Sequence, residues 1–201
     1  MNMYKQCKNK NAQRRQIEIA LSLMHLMEKQ QLQHITVKDI CDNINVPRRA
    51  FYRYFETKND CLTAMLDYII LSYESYPKKY NTLQERTLEL DMETFFDFYY
   101  QNQIYLKIIF NNDLFSLLLQ RYVYWTKNAN QVYDLDYLLG EENNREKHYS
   151  LLFCMSGLVF SLFNWYYDGC QPSPKEMAKI ISKNLINGLN IDPQKLKKEN
   201  Q

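Results

Sequence analysis

The chain has 201 residues, 46% of them hydrophobic, with only 4 Gly and 5 Pro. That is enough apolar material for a core and too few turn residues for a β-rich fold of this length, so an all-α fold with short connections is expected. The formal net charge of +2 is unevenly spread: residues 1–58 hold 11 Lys/Arg against 5 Asp/Glu, and the rest hold 14 against 18.

A basic head on an acidic body points to a polyanion as partner of the head; a lysine-rich tail on an ordinary protein gives the same count. Cys7, Cys41, Cys61, Cys154 and Cys170 are widely spaced, with no C-x-x-C pair, so neither a disulfide framework nor a zinc site is expected. The chain shows no signal-peptide pattern and no apolar run long enough to span a membrane, which leads us to expect a reduced, cytoplasmic protein without membrane partners. His25, His34 and His148 share no motif, and H-E-x-x-H, P-loop, G-x-S-x-G and G-x-G-x-x-G patterns do not occur. No enzyme activity and no cofactor is therefore expected.

In chain order, residues 2–13 are polar and basic and read as a frayed arm. From Arg14, the positions Ile17, Ala20, Leu21, Met24 and Met27 recur at helical spacing, predicting a helix that ends near Gln30. Thr36 is a good N-cap with Asp39 three residues on, predicting a short helix with Val37, Ile40 and Cys41 on its apolar face. Asn45 can take the left-handed conformation that a tight turn needs, and Pro47 suits a helix start. A second short helix is predicted over 48–55, and Thr57 with Asp60 caps a longer one that ends before Pro77. Further helices are expected at 82–101, 103–111, 113–130, 145–168 and 174–189, with loops at Gly140 and at Gly169–Pro174 and a lysine-rich tail.

The stretch 36–58 carries the chemistry. Two short helices joined by a tight turn need a scaffold, which the flanking helices supply. The second holds Arg48, Arg49, Tyr52, Arg53 and Tyr54 within seven residues. A helix fits the major groove of double-stranded DNA, and residues of its first turn reach base edges. Arginine there is unfavourable to the helix dipole, a cost that a facing phosphate or guanine would offset. Tyr52 and Tyr54 can reach phosphate through their hydroxyls, as can Lys58 at the start of the next helix. An ordinary helical hairpin with a solvated basic face is the other reading of the same pattern.

The run Ile35-Thr36-Val37-Lys38-Asp39-Ile40, then Val46-Pro47-Arg48-Arg49-Ala50-Phe51-Tyr52-Arg53-Tyr54-Phe55, then Lys58, resembles the DNA-binding signature of the TetR family of regulators. The family pattern is roughly I-T-V-x-D-I-A, G-V-S-x-x-T-F-Y-x-Y-F and K. Here Asn45 replaces the turn glycine, Pro47 the usual Ser, Ala50 the usual Thr and Cys41 a small alanine. The resemblance implies a helix-turn-helix head over 1–58 and a helical body over 59–201 that dimerises and binds an effector. It implies backbone contacts from Lys38, Tyr52, Tyr54 and Lys58, base-edge contacts from Arg48 and Arg49, Ala50 near a thymine methyl and Thr36 and Arg53 within the DNA-facing set. Phe51 and Phe55 become core.

The body offers two further readings. Gly157, Trp165 and Gly169, followed by Ser173-Pro174-Lys175-Glu176-Met177, resemble a TetR subgroup with G-x7-W-x3-G and S-P-E-E-M, whose last two helices pair as a four-helix bundle. The homodimer interface is accordingly expected at Leu151, Met155, Leu158, Leu162, Trp165, Met177, Ile181 and Leu185; burial inside one subunit is the alternative. Phe95, Phe98, Tyr99, Tyr105, Phe115, Tyr122 and Trp125 are expected around a pocket for a small apolar or aromatic effector, with simple core packing as the alternative. The function read from all this is a repressor that binds a pseudo-palindromic operator as a homodimer and is released by an effector. A helical adaptor acting through a protein partner is the second reading.

Overall fold

In the computed structural model, residues 4, 5, 7, 9–128 and 144–188 are described. Nine α-helices and no strands occur among them: α1 (Lys10–Met27), α2 (Val37–Asn43), α3 (Arg48–Tyr54), α4 (Lys58–Ser72), α5 (Leu88–Gln101), α6 (Gln103–Asn111), α7 (Phe115–Asn128), α8 (Asn144–Tyr167) and α9 (Pro174–Gly188). The helix starts follow local chemistry. Thr36 and Asp39 form a reciprocal capping box on α2. Thr57 accepts from the Asp60 amide while the Asp60 carboxylate accepts from the amides of Glu56 and Thr57. Ser173 and Glu176 repeat the device on α9, with Pro174 at the first helical position. Asn45 has φ of 53°, the left-handed conformation expected of it, and Gly169, in the expected loop after α8, has φ of 70°.

Three elements depart from the sequence reading. Helix α1 starts at Lys10 rather than Arg14, because Asn9 accepts from the Asn11 amide and caps it. The arm before it is not frayed at its described residues, since the Tyr4 hydroxyl donates to Asp67 Oδ2 at 2.9 Å. The segment expected as one helix over 82–101 is a 3-10 turn at Leu83–Glu85 followed by α5, which begins where Thr87 accepts from the Leu90 amide. The Gly140 loop and the lysine-rich tail lie outside the described residues.

Two compact units divide the chain. The first holds the described residues up to Ser72 together with Lys107–Arg121. Its core is built by Ile19, Leu23, Ile40, Phe51, Met65 and Ile69, all without exposed surface. Lys107–Arg121 is tied in by polar contacts. Asn112 Oδ1 accepts from the Leu32 amide at 2.6 Å, and Arg121 donates through Nε and Nη2 to the two Asp67 oxygens at 2.7 Å each. That ion pair is only 2% and 1% exposed, and Tyr4 supplies a further donor to the carboxylate. The second unit holds Tyr73–Leu106 with the described residues from Tyr122 onward. Helices α5 and α9 pack together there, and Trp165 of α8 meets Phe96 edge-on at 5.3 Å between ring centroids.

The expected interface residues take part in this packing. Met155, Leu158, Leu162, Trp165 and Met177 are buried within the single chain, and Ile181 and Leu185 are half-buried. The Leu151 side chain lies outside what is described. The apolar face of α8 chosen from sequence is the one that fills the subunit's own core, with Trp165 held further by its indole N–H donating to the Pro172 carbonyl at 2.6 Å. The opposite face carries Tyr149, Phe153, Phe160 and Tyr167, between 61% and 75% exposed, with exposed Gly157 and Asn164 between them. These positions recur every three or four residues and form one stripe.

The aromatic set packs in a similar way. Phe95, Phe98, Tyr99 and Tyr122 are fully buried, and their rings fill one another's space. Phe95 and Phe98 meet Tyr99 edge-on at 5.2 and 4.9 Å, and the Tyr99 and Tyr122 hydroxyls are hydrogen-bonded. Burial beside Tyr122 holds the Tyr99 phenol well above its ordinary pKa, so the pair stays neutral. Tyr105, half-buried, reaches Phe98 at 6.0 Å, and Trp125, also half-buried, reaches Tyr124 at 5.6 Å. Phe115 belongs to the first unit and the other six to the second.

Replacing Arg121 with Ala would leave the Asp67 carboxylate buried without its cation. Such losses cost about 3–5 kcal/mol, because the remaining charge keeps its desolvation penalty. We expect a fall of that size in urea unfolding; a change below about 1 kcal/mol, typical of surface pairs, would contradict the buried pairing.

Candidate nucleic-acid interface

The site is built on α2 and α3. Helix α2 is fixed to α1 by Ser22, whose hydroxyl donates to the Ile40 carbonyl at 2.8 Å and accepts from Asn43 Nδ2 at 3.0 Å. The turn between α2 and α3 closes when the Val46 amide donates to the Cys41 carbonyl at 3.0 Å, with Asn45 in the left-handed region. Cys41 and Cys61 are buried, and desolvation pushes both thiols above their ordinary range, so they serve as small apolar fillers.

Helix α3 has seven residues and divides cleanly. Phe51 is fully buried, and its ring lies 5.4 Å from that of buried Phe55. Arg48, Arg49, Tyr52 and Arg53 are exposed, while Ala50 and Tyr54 are half-buried. Arg48 donates through Nη2 to the Tyr52 hydroxyl at 3.2 Å, with its guanidinium carbon 5.9 Å from that ring. The two side chains at i and i+4 thus form one pre-oriented unit. Neither Arg49 nor Arg53 forms an ion pair among the described residues. The exposed cationic face is therefore neither turned inward nor neutralised by acidic side chains.

The flanking candidates behave differently. Lys38 is exposed on α2. The Thr36 hydroxyl is occupied in the capping box, accepting from the Asp39 amide at 3.2 Å and donating to the Asp39 carboxylate at 2.7 Å. Hydrogen bonds from the Thr36 amide and hydroxyl hold the Asp39 carboxyl below its ordinary pKa. Lys58, read from sequence as a phosphate contact, is half-buried, and its ammonium donates to the carbonyls of Leu32 and Ile35 at 2.7 and 2.6 Å. It caps the 3-10 turn between α1 and α2. The carbonyls that hold it lie more than twenty residues upstream, so no local sequence pattern signals the contact.

Residues 23–65 match the sequence profile described as "Bacterial regulatory proteins, tetR family". The head is a TetR-type helix-turn-helix domain. The fold as a whole is similar to that of solved regulators. The fatty acid degradation regulator FadR from Bacillus halodurans aligns with a TM-score of 0.57 at 14% identity, covering 93% of this chain and 100% of that one. A tetR-family transcriptional regulator from Streptomyces coelicolor aligns at 0.56 and 14% identity, covering 93% of this chain and 88% of that one. The dihydroxyacetone kinase operon activator DhaS aligns at 0.53 and 16% identity, with coverages of 88% and 96%. No curated protein matches the sequence. Among the described residues there is no group that could hold a metal ion, and no helix is long and apolar enough to cross a membrane.

Lys58→Met should lower stability by about 1–3 kcal/mol, since two carbonyls lose their donor, and should leave the salt dependence of DNA binding unchanged. A flattened salt dependence with unaltered urea unfolding would return Lys58 to the phosphate contacts.

Proposed function

We propose that this TetR-type regulator is a repressor that binds a pseudo-palindromic operator as a homodimer and is released by a small apolar effector. One observation carries the DNA reading: Arg48, Arg49, Tyr52 and Arg53 stand exposed on a short helix whose other side is anchored by fully buried Phe51. A helix held in this way can lie in the major groove, with Arg48 and Arg49 reaching guanine O6 and N7 from its first turn. Lys38, Tyr52 and Tyr54 act on the phosphate backbone, which fixes register and carries no sequence information. In a two-fold dimer the recognition helices would enter successive major grooves about 34–36 Å apart.

The dimer is assigned to the exposed stripe of α8, with Phe153, Gly157 and Phe160 at its middle. Gly157 has no neighbouring atom within 4 Å of where a side chain would begin, so a partner helix can approach its backbone closely. An isologous contact places the same stripe on both sides of the two-fold axis. The effector is assigned to the aromatic second unit. The fatty acid degradation regulator that shares this fold makes acyl chains the first ligand class to test. An effector would act by binding better to the form whose helix separation does not fit DNA.

Binding to an operator duplex should weaken by roughly 10³-fold between about 50 and 200 mM salt, as for a handful of neutralised phosphates. Arg49→Ala should cost about 1–3 kcal/mol on the operator and less on bulk DNA. Equal losses on both would make Arg49 a phosphate contact, and absence of any salt-dependent binding would end the DNA reading in favour of an adaptor. Phe160→Asp should give a folded monomer in sedimentation velocity; an intact dimer would move the interface off α8.

A further inference from the structure

We propose that the N-terminal arm is a structured part of the DNA interface, in which Lys5 and Arg53 face each other across a groove and bind one phosphodiester of the DNA backbone. The inference rests on the DNA-binding reading and adds to it a contact outside the helix-turn-helix.

The arm is tied on both sides of Lys5. The Tyr4 hydroxyl donates to Asp67 Oδ2 at 2.9 Å, and the Tyr4 ring lies 6.1 Å from that of Phe55. Gln16, itself buried on α1, donates through Nε2 to the Lys5 carbonyl at 2.7 Å. Gln13 does the same to the Cys7 carbonyl at 2.8 Å. With its backbone held, the Lys5 side chain stands exposed and forms no ion pair among the described residues. Between the arm and the end of α3 lies a groove of about 500 Å³, with Tyr4 and Lys5 on one side and Tyr52 and Arg53 on the other.

Charge decides what this groove can hold. Two cations, Lys5 and Arg53, and two acids, Glu56 and Asp60, line it, and neither cation is ion-paired to an acid among the described residues. Asp60 is occupied, because its carboxylate accepts from the amides of Glu56 and Thr57 at the start of α4. Glu56 is exposed and opposes an anion. The formal charges of the lining cancel, so what favours an anion is the placing of two unpaired cationic donors, Lys5 and Arg53, which can both give it charge-assisted hydrogen bonds. A phosphodiester is such an anion. The groove is also continuous with the exposed face of α3, since Arg53 lies one turn beyond Arg49.

The test measures DNA affinity of the full chain against salt, on an operator duplex and on bulk DNA. Lys5→Gln should reduce the salt slope by about 1 per subunit, alike on both DNAs. Tyr4→Phe keeps every charge and removes the hydroxyl that donates to Asp67; it should produce much of the same loss, and adding Lys5→Gln to it should add little. Glu56→Gln should tighten binding. Lys29→Gln, beyond the far end of α1, reports what the loss of any surface charge does. If wild-type protein binds DNA and Lys5→Gln changes the slope no more than Lys29→Gln, the groove proposal is wrong while the DNA reading stands. If wild-type protein does not bind DNA, both fall.

Discussion

The burial of Phe51, with Phe55 packed against it, is the constraint on which the account depends. A seven-residue helix cannot persist alone, because the cost of nucleating it is not recovered over so few hydrogen bonds. Helix α3 exists because one side of it is driven into the first unit's core. That burial sets its rotation about its own axis. With Phe51 inward, Arg48, Arg49, Tyr52 and Arg53 have nowhere to point but outward. The electrostatic strain of arginines in a helix's first turn is therefore imposed by packing, and it is available to be relieved by an anionic ligand.

The supports of this helix are polar as well as apolar. Lys58 closes the turn between α1 and α2, Ser22 and Asn43 fix α2 to α1, and the buried Arg121–Asp67 pair fastens a later segment to α4. Tyr4 reaches the same carboxylate, so the arm, α4 and the Lys107–Arg121 segment share one buried anion. Such a network is unforgiving, since removing any cation leaves a buried charge uncompensated. It also gives the first unit a boundary that differs from the head read from sequence, because α4 and Lys107–Arg121 belong with the helix-turn-helix in packing terms.

Much of the head was legible in the chain because its signals are local. A capping box spans four residues, and the conformation of Asn45 and the start at Pro47 follow from single-residue chemistry. Helical periodicity located α1 and α4 to α9 within a few residues, apart from the 3-10 turn at Leu83–Glu85, where Thr87 restarts the helix. Periodicity leaves other features open. Periodicity shows that α8 has an apolar face but not whether that face meets its own chain or another. Trp165 and Leu162 face inward, and the exposed stripe of Phe153, Phe160 and Tyr167 gives little periodic signal because its members alternate with small and polar residues. The aromatic run is ambiguous in the same way: Phe95, Phe98 and Tyr99 at helical spacing satisfy a core as readily as a pocket. The partners of Lys58 and Tyr4 are distant in sequence, which no local pattern encodes.

The most direct test of the central claim is chemical interference on an operator duplex. Methylation of guanine N7 blocks the major-groove edge, whereas methylation of adenine N3 blocks the minor groove. If the exposed face of α3 reads DNA as argued, N7-methylated guanines should be excluded from bound complexes at two clusters about 10 base pairs apart, one per half-site. Bound DNA that tolerates N7 methylation throughout the site, or is sensitive only to methylation in the minor groove, would contradict it.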